Sequence, residues 1–423
     1  MKNVVVLTGL FPPQVSANSN IAFNIVEELK EKYNIIVITR ASGLKFKKKE
    51  QLNNVKIIRN RDWNQIIHNK CTEEIKKNRE LFKMVLFIKK IIFFVPKIFR
   101  MQNYSKYYTK KIYKTLKSVN KKYKIDIIIP ISSPHEEIFA ALKFKKINKT
   151  VKLIPYQLDR FSNGNSLYAT NFLRSYKYNN NIKLEKEIIK YSEKLFILPP
   201  IYSHYKNDVE LSNEEISKIE ITEHPLIKKI QKITNKKNDN VNILYAGTLD
   251  MKLRNPTYLF ELLNDQNIVE SNIKLQLYSF GNCQSIINNY KKKIPNIICD
   301  NGKIEHKILV NKMQEANILL SIGNNSNNEV PSKLFEYLSF GKPIIHLYYS
   351  DDDAYLKYLQ NYKYSICIKM DESNIMQNRK MFYNFCMENS NVDIDFDVIE
   401  KEFTDCTPKY VSNQFINQIE GEK

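Results

Sequence analysis

Residues 3–39 read NVVVLTGLFPPQVSANSNIAFNIVEELKEKYNIIVIT. Asn3 to Leu7 is an unbroken β-branched and apolar run, the pattern of a strand covered on both faces. Gly9 to Pro13 interrupt it as a loop. Ile21, Ala22, Ile25, Val26 and Leu29 then recur at helical spacing, and Asn34 to Thr39 is a second buried-strand run. Strand, loop, helix and strand in so short a stretch spell a βαβ unit. The pattern returns with a strand at Asp126–Ile131, a helix from about His135 to Lys146, and strands at Val151–Tyr156 and Lys194–Leu198.

A second series of the same kind begins at Val241. Strands are predicted at Val241–Ala246, Ile273–Ser279, Ala316–Ile322 and Pro343–Leu347. Helices are predicted at Pro256–Leu263, Glu305–Gln314 and Pro331–Phe340. Two alternating series predict an α/β protein of two Rossmann-like, doubly wound domains. The polar stretch Ile227–Asn240 supplies a linker, so the expected boundaries are 1–225, a linker at 226–240, and 241–423. The first series is interrupted at about 72–124. There an apolar helix from Leu81 to Val95 and a Tyr/Lys-rich one from Tyr104 to Lys124 are expected to form a basic helical hairpin inserted into the N-terminal domain.

That insertion carries most of the charge. The 423 residues sum to +21, and residues 76–124 hold sixteen Lys and Arg against one acid, Glu80, a local +15. At 43% hydrophobic and 26% charged residues the composition excludes a disordered or fibrous chain. Six scattered cysteines without a C-x-x-C pair exclude a disulfide framework and a zinc site, and point to a reducing, cytoplasmic compartment. The N-terminus lacks the plan of a signal peptide, and no apolar stretch reaches membrane-spanning length. Nucleic acid is not an expected partner, because no RNP, zinc-finger or helix-turn-helix signature accompanies the basic residues.

Two segments carry chemistry. In VPSKLFEYLSFGKPII, residues 330–345, Pro331 suits the first turn of a helix, and Ser332 and Lys333 follow beside unpaired backbone N–H groups, a place for an anion. Glu336 lies one turn further on a similar face, ready to accept hydrogen bonds from hydroxyls. In YAGTLDMKLRNP, residues 245–256, a strand ends at Gly247 and its loop delivers Lys252 and Arg254 to the carboxyl end of the sheet. Phosphate-binding cations and a carboxylate for sugar hydroxyls together suit a nucleotide sugar. Asp351-Asp352-Asp353 read instead as the acidic cap of a helix over 354–359.

TGLFPPQVSANSNIAFNIVEEL (8–29), AGTLDMKLRNP (246–256) and EVPSKLFEYLSFGKPIIH (329–346) resemble family 4 glycosyltransferases of the GT-B fold, above all those that build bacterial surface polysaccharides such as capsule or O-antigen. The resemblance runs over most of the chain. It implies two domains facing a central cleft and a final helix, 408–420, returning to the N-terminal domain. It also implies a retaining, metal-independent transfer with no cofactor, the nucleotide diphospho-sugar being the donor substrate. Glu336 would bind the ribose and Ser332 and Lys333 the diphosphate, with Arg254 as one of the family's paired cations. Gly9, Gly247 and Gly281 would border the donor, and His135 would lie near the transferred sugar. Asn18, Asp159 and Arg160 would face the acceptor. The chain departs from the family at Asn328, where a Glu is usual and Glu329 stands one residue out of register, and at Thr248, where an Arg is usual. Those departures leave open a catalytically weak scaffold that binds membrane or glycan, and a nucleotide-sugar epimerase also stays open. The basic, aromatic-rich segment at about 76–124 suits the anionic inner surface of the cell membrane, where a lipid-linked or oligosaccharide acceptor would be presented.

Overall fold

The computed structural model describes residues 1–14, 16–77, 79–99, 104–162, 174–231, 240–325 and 332–421. It divides into two units, Met1–Leu226 with Asp405–Lys423, and Ile227–Thr404. Asn328 and Glu329, and most of the expected linker, lie outside the described residues.

The first unit runs β1 (Asn3–Leu7), α1 (Ala17–Leu29), β2 (Asn34–Ala41), β3 (Lys49–Leu52), β4 (Val55–Arg61), α2 (Trp63–Lys76), α3 (Leu81–Phe99), α4 (Lys106–Tyr123), β5 (Ile127–Pro130), α5 (Glu136–Ile147) and β6 (Lys152–Leu153). It continues through β7 (Tyr156–Gln157), α6 (Arg174–Tyr191), β8 (Leu195–Ile197), α7 (Pro199–Asn207), α8 (Asn213–Ser217) and β9 (Ile219–Ile221). The main sheet has the order β3-β4-β2-β1-β5-β6, parallel except for the edge strand β3. The NVVVL run is explained by its two covers. Val4 and Val6 join the core beneath α1 and α5, while Val5 and Leu7 join the core beneath α4.

Two features differ from the sequence expectation. The strand expected at Val151–Tyr156 breaks into β6 and β7, and β7, β8 and β9 form a separate three-stranded sheet. Pro155 sits at the break; it has no N–H to give the ladder, and its carbonyl accepts from Phe196 N at 2.9 Å. Nor is the basic segment one inserted hairpin. Tyr108, Ile112, Leu116 and Val119 form a buried stripe along α4, which packs on α5 and is the crossover helix between β4 and β5. α3 packs on α2, with Lys89 Nζ donating to Asn64 O at 2.7 Å.

The second unit runs β10 (Val241–Leu249), α9 (Thr257–Leu263), α10 (Gln266–Glu270), β11 (Ile273–Gly281), α11 (Gln284–Lys293), β12 (Ile298–Asp300), α12 (His306–Glu315), β13 (Ile318–Ile322) and α13 (Lys333–Ser339). β14 (Ile344–Tyr348), α14 (Leu356–Leu359), β15 (Ser365–Lys369), α15 (Ile375–Asn389) and α16 (Phe396–Glu402) complete it. Its sheet is fully parallel in the order β12-β11-β10-β13-β14-β15. The order reverses between β10 and β13, so the crevice that binds ligands in such sheets opens there, beyond their carboxyl ends. The acids before α14 do not cap it as expected: the N-cap is Tyr355, without a side-chain cap bond, and Asp353 Oδ1 accepts from Tyr355 N at 2.8 Å ahead of the helix. The last helix, α17 (Pro408–Glu420), belongs to the first unit, where it packs on α1 and sets Phe415 against Phe196 at 4.3 Å between ring centroids.

Candidate functional site

The loop after β10 is held by its own acid. Asp250 and Arg254 exchange backbone hydrogen bonds at 3.1 and 2.9 Å. Asp250 Oδ1 accepts from Lys252 N at 2.9 Å and Leu253 N at 3.0 Å, bonds that hold its carboxyl below the usual range. Asp250 is thereby committed to shaping the loop. Arg254 is left half-buried with Nε donating to Asn324 Oδ1 at 2.7 Å, and among the described residues no carboxylate pairs with it. Asn324 follows β13, so this bond joins the two loops that diverge at the switch point.

α13 stands over the same crevice because Tyr337 pins it there. The Tyr337 hydroxyl is buried, accepts Ala246 N–H at 3.1 Å and donates to Ala246 O at 3.4 Å. Ser332 precedes the helix without making a side-chain cap bond. Lys333 and Glu336 meet at 3.1 Å, and His306 Nε2 lies 2.8 Å from the other Glu336 oxygen. Burial works to raise the Glu336 carboxyl; the His306 hydrogen bond and the Lys333 ammonium overcome it and hold the group at about 2. Lys333, Glu336 and His306 thus form one charged cluster on the second unit. Arg254 is placed at the β10–β13 switch point of the same unit.

Glycine is required at one border. Gly281 has φ +136°, and a Cβ there would lie 1.9 Å from Leu249 O, so β11 can end against β10 only without a side chain. At Gly247 φ is not in the left-handed region, and a Cβ would meet the buried Tyr245 hydroxyl at 3.2 Å, the hydroxyl that donates to Thr248 O.

In the first unit, the switch point falls between β1 and β5. Gly9 follows β1 and Pro134 follows β5. A Cβ on Gly9 would sit 2.4 Å from Pro134 Cδ, so the two loops touch. Asn18, in the first turn of α1, donates to Ser133 O at 3.1 Å. His135 caps α5 with no side-chain cap bond and is buried against Phe161 at 4.7 Å between ring centroids. Its Nε2 has no hydrogen-bond partner among the described residues, and burial depresses its pKa, which keeps the ring neutral at pH 7. Asp159 is exposed, whereas Arg160 is turned onto α7, donating to Pro200 O at 2.7 Å and Ser203 Oγ at 3.3 Å. Gly9, Asn18 and His135 therefore gather at one loop pair, and Arg160 is anchored on α7.

Two residues of these sites escape sequence reading, Asn324 and Tyr337, while the Gly302–His306 turn is expected at the donor from the resemblance and its contact with Glu336 is not. Asn324 had a signal, lying two residues past a strand of the switch point, but the strand order had to be known first. Two arrangements resemble nucleophilic triads and lie in the interior. Ser321 Oγ is 2.7 Å from His346 Nδ1, whose Nε2 is 3.3 Å from Asp353. Ser162 Oγ is 3.0 Å from His204 Nε2, with Asp208 2.8 Å from Nδ1. Both serines and both histidines are buried, so each set positions chain rather than meeting substrate.

No protein-family model matches the chain, and no curated protein sequence matches it. Solved structures match in fold. Sucrose-phosphate synthase from Thermosynechococcus elongatus aligns over 100% of both chains with TM-score 0.63 and 10% identity. The lipopolysaccharide outer core galactosyltransferase WaaB, in its apo form, aligns over 100% of both chains with TM-score 0.56 and 14% identity. A protein assigned as a UDP-N-acetylglucosamine 2-epimerase from Listeria monocytogenes covers 100% of this chain and 96% of its own, with TM-score 0.58 and 13% identity. The two parallel-sheet Rossmann-like units and these matches define the fold as GT-B.

Proposed function

We propose that the protein is a glycosyltransferase that moves a hexosyl or N-acetylhexosaminyl group from a nucleotide diphospho-sugar to a lipid-linked or oligosaccharide acceptor. The reaction retains anomeric configuration, uses no metal, and serves surface-polysaccharide synthesis at the cytoplasmic face of the membrane. One observation carries the reading: Arg254 stands without a carboxylate partner among the described residues at the switch point of a GT-B C-terminal unit, the unit that also holds the Lys333–Glu336–His306 cluster.

Arg254 and Lys333 hold the donor diphosphate, and Glu336 accepts from the ribose hydroxyls. The bond from the anomeric carbon to the diphosphate oxygen breaks while the acceptor oxygen bonds to that carbon on the same face. The acceptor proton passes to the departing diphosphate. Catalysis is then positioning and charge stabilisation. Arg254→Ala and Lys333→Ala should each lower transfer about 10²–10³-fold, with circular dichroism unchanged; full activity in both variants rejects the assignment. The epimerase match favours one second reading, inversion at C2 of UDP-N-acetylglucosamine. Proton NMR of that sugar incubated without acceptor decides it, since a transferase leaves C2 untouched.

A further inference from the structure

α3 has two faces. Phe82, Leu86 and Lys89 are half-buried on its α2 side. Leu81, Met84, Ile88 and Ile91 recur at helical spacing on the other, and they are 67%, 55%, 47% and 48% exposed, with Lys83 and Lys90 beside them. At 19 residues the helix is about 28 Å long. Among the described residues no helix is long and apolar enough to cross a membrane. A long helix with one exposed apolar stripe edged by lysines is the form that lies in a bilayer interface.

A second feature follows in the chain. A cavity of about 380 Å³ opens between α4, α5 and α6, rimmed by Lys106, Lys110, Lys143 and Lys146 over a floor of Phe139 and Leu142. Among the described residues Glu187, paired to Lys146 at 2.7 Å, is the only acid in its lining, and Lys106 and Lys110 have no carboxylate partner. The lining is therefore net cationic above and apolar below. That combination fits a phosphate carried on an apolar chain, and the volume lies in the range of small-ligand pockets. Phe99 ends α3 and Tyr104 lines the cavity; the five-residue step between them spans at most roughly 18 Å.

We propose that α3 and this cavity form one membrane-docking face, with α3 lying in the interface and the cavity taking the phosphate headgroup of an anionic lipid. The inference rests on the membrane-surface part of the proposed function and assigns it to particular residues. It also narrows the apolar contact within 76–124 to α3, since the apolar stripe of α4 is spent in the core.

The test is co-sedimentation of the full chain with vesicles of phosphatidylglycerol in phosphatidylcholine and with phosphatidylcholine alone. Wild type should bind the first and not the second. Lys106→Gln/Lys110→Gln/Lys143→Gln should weaken binding by roughly fivefold per lysine, and Ile88→Glu/Ile91→Glu should abolish it. Wild-type binding by the lysine variant overturns the cavity assignment, and equal binding of both vesicle types overturns the whole proposal. So does displacement by inorganic phosphate, which would mark a plain anion site. A wild-type dimer that Ile88→Glu/Ile91→Glu converts to monomer, with no vesicle binding, assigns the stripe to a second copy and overturns it too. Thermal stabilisation by nucleoside diphosphates is measured on the same samples. Vesicle binding without that stabilisation sinks the enzyme reading alone, and stabilisation without vesicle binding sinks this one alone.

Discussion

Glu336→Gln tests the donor site at its most perturbed group. The substitution keeps the side chain's shape and removes its charge. A carboxyl held at about 2 instead of 4.5 corresponds at most to about 3 kcal/mol of favourable interaction. Water reaches the cluster, with the His306 side chain 47% and that of Lys333 31% exposed, so screening leaves roughly 1–2 kcal/mol at neutral pH. A depressed carboxyl adds stability that is fully present above its unfolded value of 4.5 and is lost as pH falls toward 2. Wild type should therefore lose that increment between those limits, and Glu336→Gln should lack it throughout. In a unit the size of Ile227–Thr404 the neutral-pH difference is a melting shift of about 2–8 °C. Nucleoside diphosphate affinity should also fall about tenfold, because a charged acceptor hydrogen bond is worth roughly twice a neutral one. The measurements are thermal melts from pH 3 to 7 and isothermal titration with nucleoside diphosphates. An unchanged acid limb together with unchanged affinity would refute both the cluster's electrostatics and its role.

Two further perturbations address the frames that carry the sites. Gly281→Ala should destabilise the second unit by about 3 kcal/mol or more, since its Cβ meets Leu249 O at 1.9 Å and φ stays at +136°; urea denaturation followed by circular dichroism measures it. Glu137 is buried on α5, where Arg40 Nε reaches it at 3.1 Å, and burial raises its carboxyl to about 7 against that cation. A raised carboxyl binds its proton more tightly when folded, so the first unit should lose stability as pH climbs from about 4.5 to 7. Glu137→Gln should flatten that decline; Trp63, the sole tryptophan and part of this unit, reports it by fluorescence.

The strands were readable because burial on both faces leaves an unbroken apolar run, and Val4 through Leu7 show why: alternate residues enter opposite cores. α4 was harder. Its buried residues keep a helical spacing, Tyr108, Ile112, Leu116, Val119, yet lysines occupy so much of the remaining surface that charge masks the stripe. α3 is apolar around much of its girth, so its sequence does not show which face is covered; in the structure Phe82, Leu86 and Lys89 are the half-buried ones, toward α2. Contacts made within one helical turn, such as Lys333 with Glu336, follow from spacing alone. His306 with Glu336 does not, because thirty residues and a strand separate them and only the packed unit brings them to 2.8 Å.

That distinction explains which candidate residues a sequence can offer in this kind of fold. The first strand of a doubly wound sheet is central, with the chain winding outward from it in both directions, so the loop after it must border the switch point. Gly9 after β1 and the Asp250–Arg254 loop after β10 needed no knowledge of tertiary contacts. The opposite side of each crevice is set by the strand that starts the reversed half, β5 in one unit and β13 in the other. Its loop is recognisable only once strand order is fixed, and in both units that loop supplies a partner to the first: Pro134 against Gly9, Asn324 to Arg254. Asn324→Ala should therefore act through Arg254, freeing the guanidinium and weakening nucleoside diphosphate binding while Lys333 and Glu336 stay paired. Unchanged affinity on that substitution would show that the guanidinium is not positioned by the loop after β13.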